Sequence, residues 1–213
     1  MQDKVEIIVA SSNQGKIQEI QEIFKDFRII SMQKAGLSLD IKEDGQSFLE
    51  NAIIKAKAVY KALGCASNIL VLSDDSGLCV SKLDDEPNIY SARYANWLKG
   101  IDSNSSDAEN NLALIERMKQ KNLTSSPASF VASMVVLGRI RDKEIFLSAT
   151  EECRGMIYPN QRGDKGFGYD SLFEPLGFDK RMGEMELFEK NSISHRSKAL
   201  KKINLELEEK LNA

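Results

Sequence analysis

The chain has 213 residues, 42% of them hydrophobic and 29% charged, and it carries a formal net charge of −3 at pH 7. This length and composition predict one globular domain, residues 1–213, with a substantial buried core. The mildly acidic balance argues against general binding to nucleic acid or to a membrane surface, although a local basic cluster could still hold a small anion.

Cysteine usage and apolar run lengths indicate the compartment. Cys65, Cys79 and Cys153 are widely spaced and form no Cys-x-x-Cys pair, so neither a disulfide framework nor a zinc site is expected. No apolar run approaches the roughly 20 residues of a membrane span, and residues 1–10 lack the pattern of a signal peptide. We therefore expect a soluble cytoplasmic protein.

Strand and helix patterns alternate in the first half of the chain. A polar loop at 11–15 separates the first predicted strand from the first predicted helix, and a capping box at 47–50 begins the second helix. The predicted strands are Val5–Ala10, a short segment near 27–31, Ile69–Ser73 and 78–83, and the predicted helices are 17–24 and 47–63. An acidic turn is expected between the last two strands.

The second half contains a predicted β-hairpin as well as two helices. The elements are a helix after the capping box 106–109 with Leu112, Ile115 and Met118 on one face, hairpin strands Phe130–Ile140 and Glu144–Thr150, a glycine-bearing loop from 155 to 168, and a helix from about His195 to Leu211 with Leu200, Ile203 and Leu207 inward. Interleaved strands and helices plus a hairpin predict an α/β protein. We expect a mixed β-sheet core with flanking helices, in two lobes that enclose a central cleft.

Two adjacent carboxylates, Asp74 and Asp75, follow the apolar run 69–72. In open α/β sheets, ligands collect beyond the carboxyl ends of strands, so this pair is expected at the rim of the sheet. Neighbouring carboxylates repel each other unless a cation is close, and Mg²⁺ is the usual one. The alternative is ordinary turn chemistry, because Asp, Ser and Gly are also common turn residues.

Basic residues occur near the starts of the first two predicted helices. A loop that enters a helix N-terminus favours phosphate, and Lys16 adds a full charge there. The loop is not a Walker A motif, because Ala10 and Ile17 stand where that motif needs glycine and a hydroxyl residue. Lys55 lies beside the packed stripe of the second helix. For both lysines, a solvated side chain is the alternative interpretation.

The segment Gly166–Asp170 places two glycines around an aromatic residue. Such a segment can turn sharply and approach a ligand closely, and Phe167 or Tyr169 could stack on a planar base. The alternative is an aromatic plug in the protein core.

His195, the only histidine, and Arg196 stand where the last helix is expected to begin. Positive charge at a helix N-terminus opposes the macrodipole, so this pair makes better sense facing an anion or a carbonyl oxygen. Lys190 supplies a further donor in the preceding segment. Together with the acidic pair and the aromatic residues, these cations suit a nucleoside triphosphate bound with Mg²⁺.

Six motifs occur in one order and carry a family resemblance. They are 12–16 (SNQGK), 47–52 (SFLENA) with Lys55, 73–78 (SDDSGL), 91–94 (SARY), 166–170 (GFGYD) and 194–196 (SHR). Nearly from end to end, the chain resembles the inosine triphosphate pyrophosphatase family, which hydrolyses non-standard purine nucleoside triphosphates such as ITP, dITP and XTP. The resemblance implies a homodimer and cleavage to the nucleoside monophosphate and pyrophosphate.

The resemblance also implies roles for individual residues. Asp75 would ligate Mg²⁺ and act as the base for water, supported by Asp74, and Arg93 would brace the site. The phosphates would be held by Ser11, Ser12, Asn13, Gln14, Gly15, Lys16 and Lys55. Ser76 would touch the substrate, and the nucleoside would be surrounded by Phe167, Gly168, Tyr169, Asp170, Lys190, His195 and Arg196.

One departure from the family pattern concerns the metal. Many relatives carry an acidic residue three positions before the glycine that matches Gly45, and here that position is Lys42. Glu43 is therefore the candidate metal ligand from this loop. Two other functions stay open at this point: a phosphatase with an aspartyl nucleophile, and a nucleotide-sensing module without turnover.

Overall fold

The fold is α/β and is built on one six-stranded sheet; it is seen in a computed structural model that describes residues 5–11 and 13–212. The strands are β1 (Glu6–Val9), β2 (Arg28–Ser31), β3 (Ile69–Val80), β4 (Ser126–Ile140), β5 (Lys143–Ile157) and β6 (Phe173–Pro175). Their order is β2-β1-β3-β4-β5-β6. Because β1 pairs in parallel with β2 and β3 while β5 and β6 are antiparallel, the sheet is mixed, as predicted.

Helices follow or precede most of the strands. They are α1 (Gln14–Ile23), α2 (Phe48–Ala62), α3 (Tyr94–Trp97), α4 (Asp107–Gln120), α5 (Leu187–Ile193) and α6 (His195–Asn212), with 3₁₀ segments at Ser81–Leu83, Asn88–Arg93 and Met182–Glu184. Both predicted capping serines cap a helix: the hydroxyl of Ser47 accepts from the backbone N–H of Glu50, and that of Ser106 accepts from the backbone N–H of Glu109. At Ser106 the glutamate also accepts from the serine backbone, which completes the capping box, whereas Glu50 accepts from the backbone N–H of Gln46. Among the described helices, none combines the length and the apolar character needed to cross a bilayer.

The chain divides into two compact units, each with its own apolar core. The first unit comprises residues 1–75, 132–151 and 196–213, and the second comprises 76–131 and 152–195. The single two-lobed domain and the central cleft stay predictions.

In the first unit, both faces of the sheet are covered by helices. Side chains of α1 and α6 such as Ile20 and Ile203 pack with Leu72 of β3, whereas Ala52 and other side chains of α2 pack with Val71. The inward-facing residues predicted for α6, namely Leu200, Ile203 and Leu207, are all fully buried. Successive residues of β3 therefore contact different helices, as the pleat of a strand requires.

In the second unit, the core gathers around Tyr94, Leu114 and Phe173. One expectation for this unit is wrong: Leu112 does not share a buried face with Ile115 and Met118 and is 62% exposed. The buried stripe of α4 runs instead through residues 111, 114, 115 and 118, which is the true i, i+3, i+4, i+7 spacing.

The acidic turn predicted between residues 73 and 78 is also wrong. β3 continues without a break from Ile69 to Val80, with Asp74 and Asp75 inside it, and the strand ends before Leu83, which lies in a 3₁₀ segment. Local turn chemistry is overridden here because both carboxylates find partners on neighbouring helices. The hairpin is confirmed: β4 and β5 are sheet neighbours joined by two residues, and Arg141 is left-handed with φ 53°.

Candidate active site

Asp74 and Asp75 lie next to each other in the chain, yet their side chains face opposite sides of β3. Asp74 shares the side of Leu72, where α1 and α6 pack, and Asp75 shares the side of Val71, where α2 packs. Both residues are buried, with relative exposures of 2% and 9%. The expected repulsion between neighbouring carboxylates is thus relieved by the pleat as well as by cations.

Asp74 belongs to a buried ionic cluster formed with α1 and α6. Its Oδ2 forms an ion pair with Lys16 Nζ and lies 3.5 Å from Arg196 Nε. Arg196 Nη1 in turn donates to Glu19 Oε2 over 2.6 Å, and both of these side chains are 3% exposed. The structure therefore brings Lys16, Asp74 and Arg196 together, with Glu19 as an additional member.

The cluster keeps Asp74 ionised. Burial alone would raise the pKa of Asp74, but Lys16 and Arg196 outweigh burial and hold that pKa well below its usual range. Burial lowers the pKa of Lys16, and the nearby cations Arg196 and Lys55 add to this, so the ion pair with Asp74 does not restore it. This carboxylate consequently acts as a fixed negative charge that orients two cations.

Asp75 belongs to a second cluster, formed with α2 and the loop before it. Lys55 Nζ lies 3.6 Å from Asp75 Oδ1 and 2.9 Å from Glu43 Oε2. Asn51 Nδ2 donates to the other oxygen, Asp75 Oδ2, over 3.1 Å. The prediction that Lys55 flanks the packed stripe of α2 is confirmed, because the stripe residues Ala52, Ala56 and Val59 are fully buried.

Asp75 differs from Asp74 in its pKa. Burial is the main reason why the pKa of Asp75 rises to about 6, and Glu43 adds to the rise while Lys55 opposes it. Burial lowers the pKa of Lys55, but Asp75 and Glu43 outweigh burial, so the net pKa of Lys55 is raised. A carboxylate whose pKa lies close to neutrality suits a general base.

The variant Asp75→Asn should therefore be more stable than the wild type at pH 7.5 and should lose this advantage in acid. A carboxyl whose pKa is raised by folding stabilises the fold below its unfolded pKa, and this stability is lost as the pH rises through the folded pKa. The shift, from 3.8 to about 6, corresponds to at most about 3 kcal/mol at neutral pH. Thermal unfolding of the wild type and Asp75→Asn from pH 4 to 8 measures the difference in stability. A difference in Tm that does not shrink toward pH 4 would contradict the prediction.

The loop before α1 shows how its residues are used. Asn13 is the N-cap, and its Oδ1 accepts from the backbone N–H of Lys16 over 3.1 Å. Ser11 Oγ accepts from the backbone N–H of Asn13. The helix begins at Gln14, and Ser12 lies outside the described residues. The cap orients the start of α1, from which Lys16 reaches Asp74.

Metal-binding side chains are few in this cluster. Among residues 5–11 and 13–212, no three His, Cys, Asp or Glu side chains come together as a metal site. Glu43 and Asp75 nevertheless both lie against one ammonium group, so this position favours positive charge. Two carboxylates completed by substrate phosphates are a common way of holding Mg²⁺, and the donor set fits that ion.

The second unit has a polar cluster of its own at Gly166–Asp170. Asp170 Oδ2 accepts from Lys190 Nζ over 2.9 Å and from the backbone N–H of Phe167 over 3.0 Å. Lys190 Nζ also lies 4.2 Å from the centroid of the Phe167 ring. A Cβ at Gly166 would come within 2.1 Å of Asp170 Oδ2, so glycine is required at that position.

The remaining predicted nucleoside residues are held inside the second unit. The Tyr169 ring is 4% exposed and its hydroxyl donates to the Ser91 carbonyl, so Phe167 is the better candidate for stacking on a base. His195 lies flat against Phe130, with ring centroids 5.1 Å apart. Ser76 is partly buried in β3.

Sequence reasoning missed several residues that support these clusters. Glu19 and Asn51 hold Arg196 and Asp75 in the first unit, and in the second unit Asp107 and Asn111 bind the backbone N–H and carbonyl of Gly168. Helical spacing could have indicated two of these residues, Glu19 and Asn51, because it places each on the same helix face as a residue already identified. Glu19 lies four residues before Ile23 of the apolar stripe, and Asn51 lies four residues before Lys55.

Fold and clusters together define an α/β protein in which two adjacent buried carboxylates are each paired with cations. The chain belongs to the Ham1 family, whose model matches residues 7–205. The family predicted from the six motifs is thereby confirmed.

Individual relatives agree with this assignment. The chain is 40% identical over 198 residues to the dITP/XTP pyrophosphatase of Campylobacter jejuni subsp. jejuni, covering 92% of this chain and 94% of the relative. It is 42% identical over 197 residues to the dITP/XTP pyrophosphatase of Sulfurimonas denitrificans, covering 91% and 94%. The solved structure of the Staphylococcus aureus Ham1 protein is similar, with a TM-score of 0.79, 35% identity and coverage of 96% and 99%. The structure of a HAM1 protein from Coxiella burnetii is also similar, with a TM-score of 0.81 and 33% identity. The match covers 96% of this chain and 99% of that protein.

Proposed function

We propose that this protein is a nucleoside triphosphate pyrophosphatase that hydrolyses dITP, XTP and ITP to the nucleoside monophosphate and pyrophosphate. The observation that carries the proposal is the separate pairing of two adjacent buried carboxylates, Asp74 with Lys16 and Asp75 with Lys55. Relatives that share about 40% of their residues with this chain bear the name dITP/XTP pyrophosphatase. Removing such nucleotides from the pool is the role that follows.

The cations of the first unit would bind the phosphates. The N-terminus of α1, capped by Asn13, supplies backbone N–H groups and the positive end of a helix dipole. Lys16 and Lys55 are held in place by Asp74, Asp75 and Glu43 before any phosphate arrives. Cations that are already oriented need little reorganisation when negative charge develops on the leaving pyrophosphate.

Glu43 and Asp75 would hold the metal ion, for which we propose Mg²⁺. When bound, Mg²⁺ would neutralise phosphate charge and polarise the phosphorus that is attacked. Lys42 is not expected to take part, because its ammonium lies 3.6 Å from Asp44 on the exposed side of the loop.

Asp75 would act on the attacking water. Its carboxylate accepts a proton as the water oxygen bonds to the α-phosphorus, and the bond from that phosphorus to the bridging oxygen breaks, so pyrophosphate leaves. Asp74 would stay ionised and support Lys16, since its pKa lies far below neutrality. The contrast between the pKa values of the two carboxylates supports Asp75 rather than Asp74 as the base.

The cluster of the second unit would recognise the nucleoside. Phe167 offers a ring for stacking, and the Asp170–Lys190 pair braces the backbone that carries it. His195 is the candidate donor to the 6-oxo group of the base. Arg196 is more suited to positioning Asp74 than to contacting the base, because its guanidinium is bound to Glu19.

Product analysis tests this function against its two rivals. Incubation with XTP, dITP or ITP and Mg²⁺ should yield pyrophosphate and the monophosphate, detected by ³¹P NMR or ion chromatography. A phosphatase with an aspartyl nucleophile would release orthophosphate through a phospho-enzyme. A sensing module would bind the nucleotide and leave it intact.

We also propose that the protein is a cytoplasmic homodimer. Cys65, Cys79 and Cys153 are free thiols, a state compatible with a reducing compartment. A groove of about 510 Å³ on the second unit, between α3 and α4, has apolar walls that include Leu98 and Leu112, exposed by 45% and 62%. Both signs of charge line it, in Lys99, Glu109, Glu116 and Arg117. Such a surface can pair with its own copy.

The variant Leu112→Lys should shift the equilibrium between dimer and monomer toward the monomer, because pairing of the two grooves would then bury a lysine charge. We expect the dimer dissociation constant to rise by at least about tenfold. Sedimentation velocity measures it, with Leu205→Lys as the matched control, since Leu205 is also 62% exposed on a helix. A monomeric wild type, or equal effects of both variants, would refute the assignment.

A further inference from the structure

Asn51 is fully buried in the first unit, and both ends of its side-chain amide are used. Its Nδ2 donates to Asp75 Oδ2 over 3.1 Å, and its Oδ1 accepts from the backbone N–H of Gly45 over 2.9 Å. The orientation of the amide is therefore fixed, because a flipped amide would face oxygen toward oxygen and N–H toward N–H. Asn51 is the side chain that joins Asp75 to the loop that carries Glu43.

The amide leaves a defined part of Asp75 available. It occupies Oδ2, whereas Oδ1 is the oxygen that lies 3.6 Å from Lys55 Nζ. Rotation of the carboxylate away from this orientation costs the buried hydrogen bond. One carboxylate oxygen is thus held toward Asn51 and the other toward Lys55.

The loop that contains Gly45 also packs closely against the side-chain amide of Asn51. A Cβ at Gly45 would lie 2.7 Å from Asn51 Oδ1 and 2.8 Å from Glu50 Cβ, so the contact requires glycine. The next backbone N–H, that of Gln46, donates to Glu50 Oε2 over 2.7 Å. Two residues before Gly45, Glu43 then reaches Lys55 over 2.9 Å.

Capping of α2 does not explain this side chain. The hydroxyl of Ser47 already caps the helix, and Asn51 bonds to Ser47 through its backbone N–H, which donates to the Ser47 carbonyl, rather than through its side chain. A leucine of similar size would pack in a helix interior at least as well as an amide does. The polar side chain is therefore retained for the carboxylate and the loop.

We propose that Asn51 is a positioning residue that holds Glu43 and Asp75 at the spacing required by the divalent cation. This inference rests on the proposed function, in which these two carboxylates carry the metal. Gly45 is its necessary partner, since no other residue lets the loop come close enough to the amide. Groups that orient metal ligands from behind typically change metal affinity or activity by about 10–100-fold when removed.

The test measures Mn²⁺ affinity by electron paramagnetic resonance without nucleotide, together with kcat and KM for XTP. Asn51→Ala and Gly45→Ala should each weaken Mn²⁺ binding and lower kcat by about 10–100-fold, with KM for XTP changed less than threefold. Both substitutions break the same contact, the one between Asn51 and Gly45. The double variant should therefore bind Mn²⁺ as well as either single variant and have a similar kcat.

A matched control separates positioning from loss of stability. Ser133 is buried in the same unit, and its hydroxyl bonds to Thr150 over 2.8 Å. Ser133→Ala should lower Tm while leaving Mn²⁺ affinity and kcat within twofold of the wild type. Equal Mn²⁺ affinity and kcat in Asn51→Ala and Ser133→Ala would overturn the inference, as would the absence of Mn²⁺ binding by the wild type. If the wild type binds Mn²⁺ but does not cleave XTP, the proposed function fails while the affinities still decide the role of Asn51.

Discussion

Asp75→Asn should lower kcat for XTP and dITP by about 10³-fold and leave nucleotide binding within a few-fold of the wild type. The amide has nearly the shape of the carboxylate, so the side chain still fits between Asn51 and Lys55. It cannot accept the proton of the attacking water. Stopped assays with radiolabelled nucleotide give kcat, and calorimetric titration gives binding.

The control for this variant is Asp102→Asn, which removes an exposed carboxylate from the second unit. It should retain full activity. The combination of greater stability at pH 7.5 and lost turnover would show that Asp75 is retained for chemistry at the expense of the fold. Turnover of Asp75→Asn within tenfold of the wild type would exclude Asp75 as the base.

The second large effect that we expect is a difference in kcat/KM between nucleotides with different purine bases. ITP and XTP present an oxygen at position 6, where adenine carries an amino group, so a donor such as His195 would be left facing another donor in ATP. Sites built on such hydrogen bonds reject the wrong partner by about 10⁴–10⁵-fold in kcat/KM. Steady-state comparison of ITP, XTP, GTP and ATP measures this ratio, and comparable values for ITP and ATP would refute it.

Two variants test whether His195 is responsible for the selection of the purine base. His195→Ala should lower kcat/KM for ITP by about 10²-fold and change that for ATP little, because one donor to the base is lost. Lys55→Met, at the phosphate end, should lower kcat/KM for all four nucleotides by a similar factor. A His195→Ala variant that affects ITP and ATP equally would place the selectivity elsewhere.

Strongly periodic elements could be predicted from the sequence. α2 has a capping serine and a stripe of small apolar residues at helical spacing, and α6 repeats leucine and isoleucine every three or four residues. Short elements such as α3, α5 and β6 could not be predicted, because three to seven residues do not establish a period.

Predictions failed where contacts distant in sequence decide the local conformation. Asp, Ser and Gly at 74–77 favour a turn, but ion pairs with α1, α2 and α6 keep both carboxylates inside a strand. Arg196 and Glu19 are 177 positions apart, so no local pattern reveals that they pair. The motifs identified the chemistry, and only the fold assigned each charge its partner.

The length of β3 has a consequence for how this chain can vary. Each step along a strand turns the side chain to the other face, so deleting one residue between Ile69 and Leu72 would direct Asp74 toward α2 and Asp75 toward α1 and α6. The parallel register with β1, from Glu6 opposite Ile69 to Val9 opposite Leu72, fixes the phase of this alternation. Insertions and deletions should therefore be tolerated in the hairpin turn at 141–142 and excluded from 69–75, where a single missing residue would interchange the two acids.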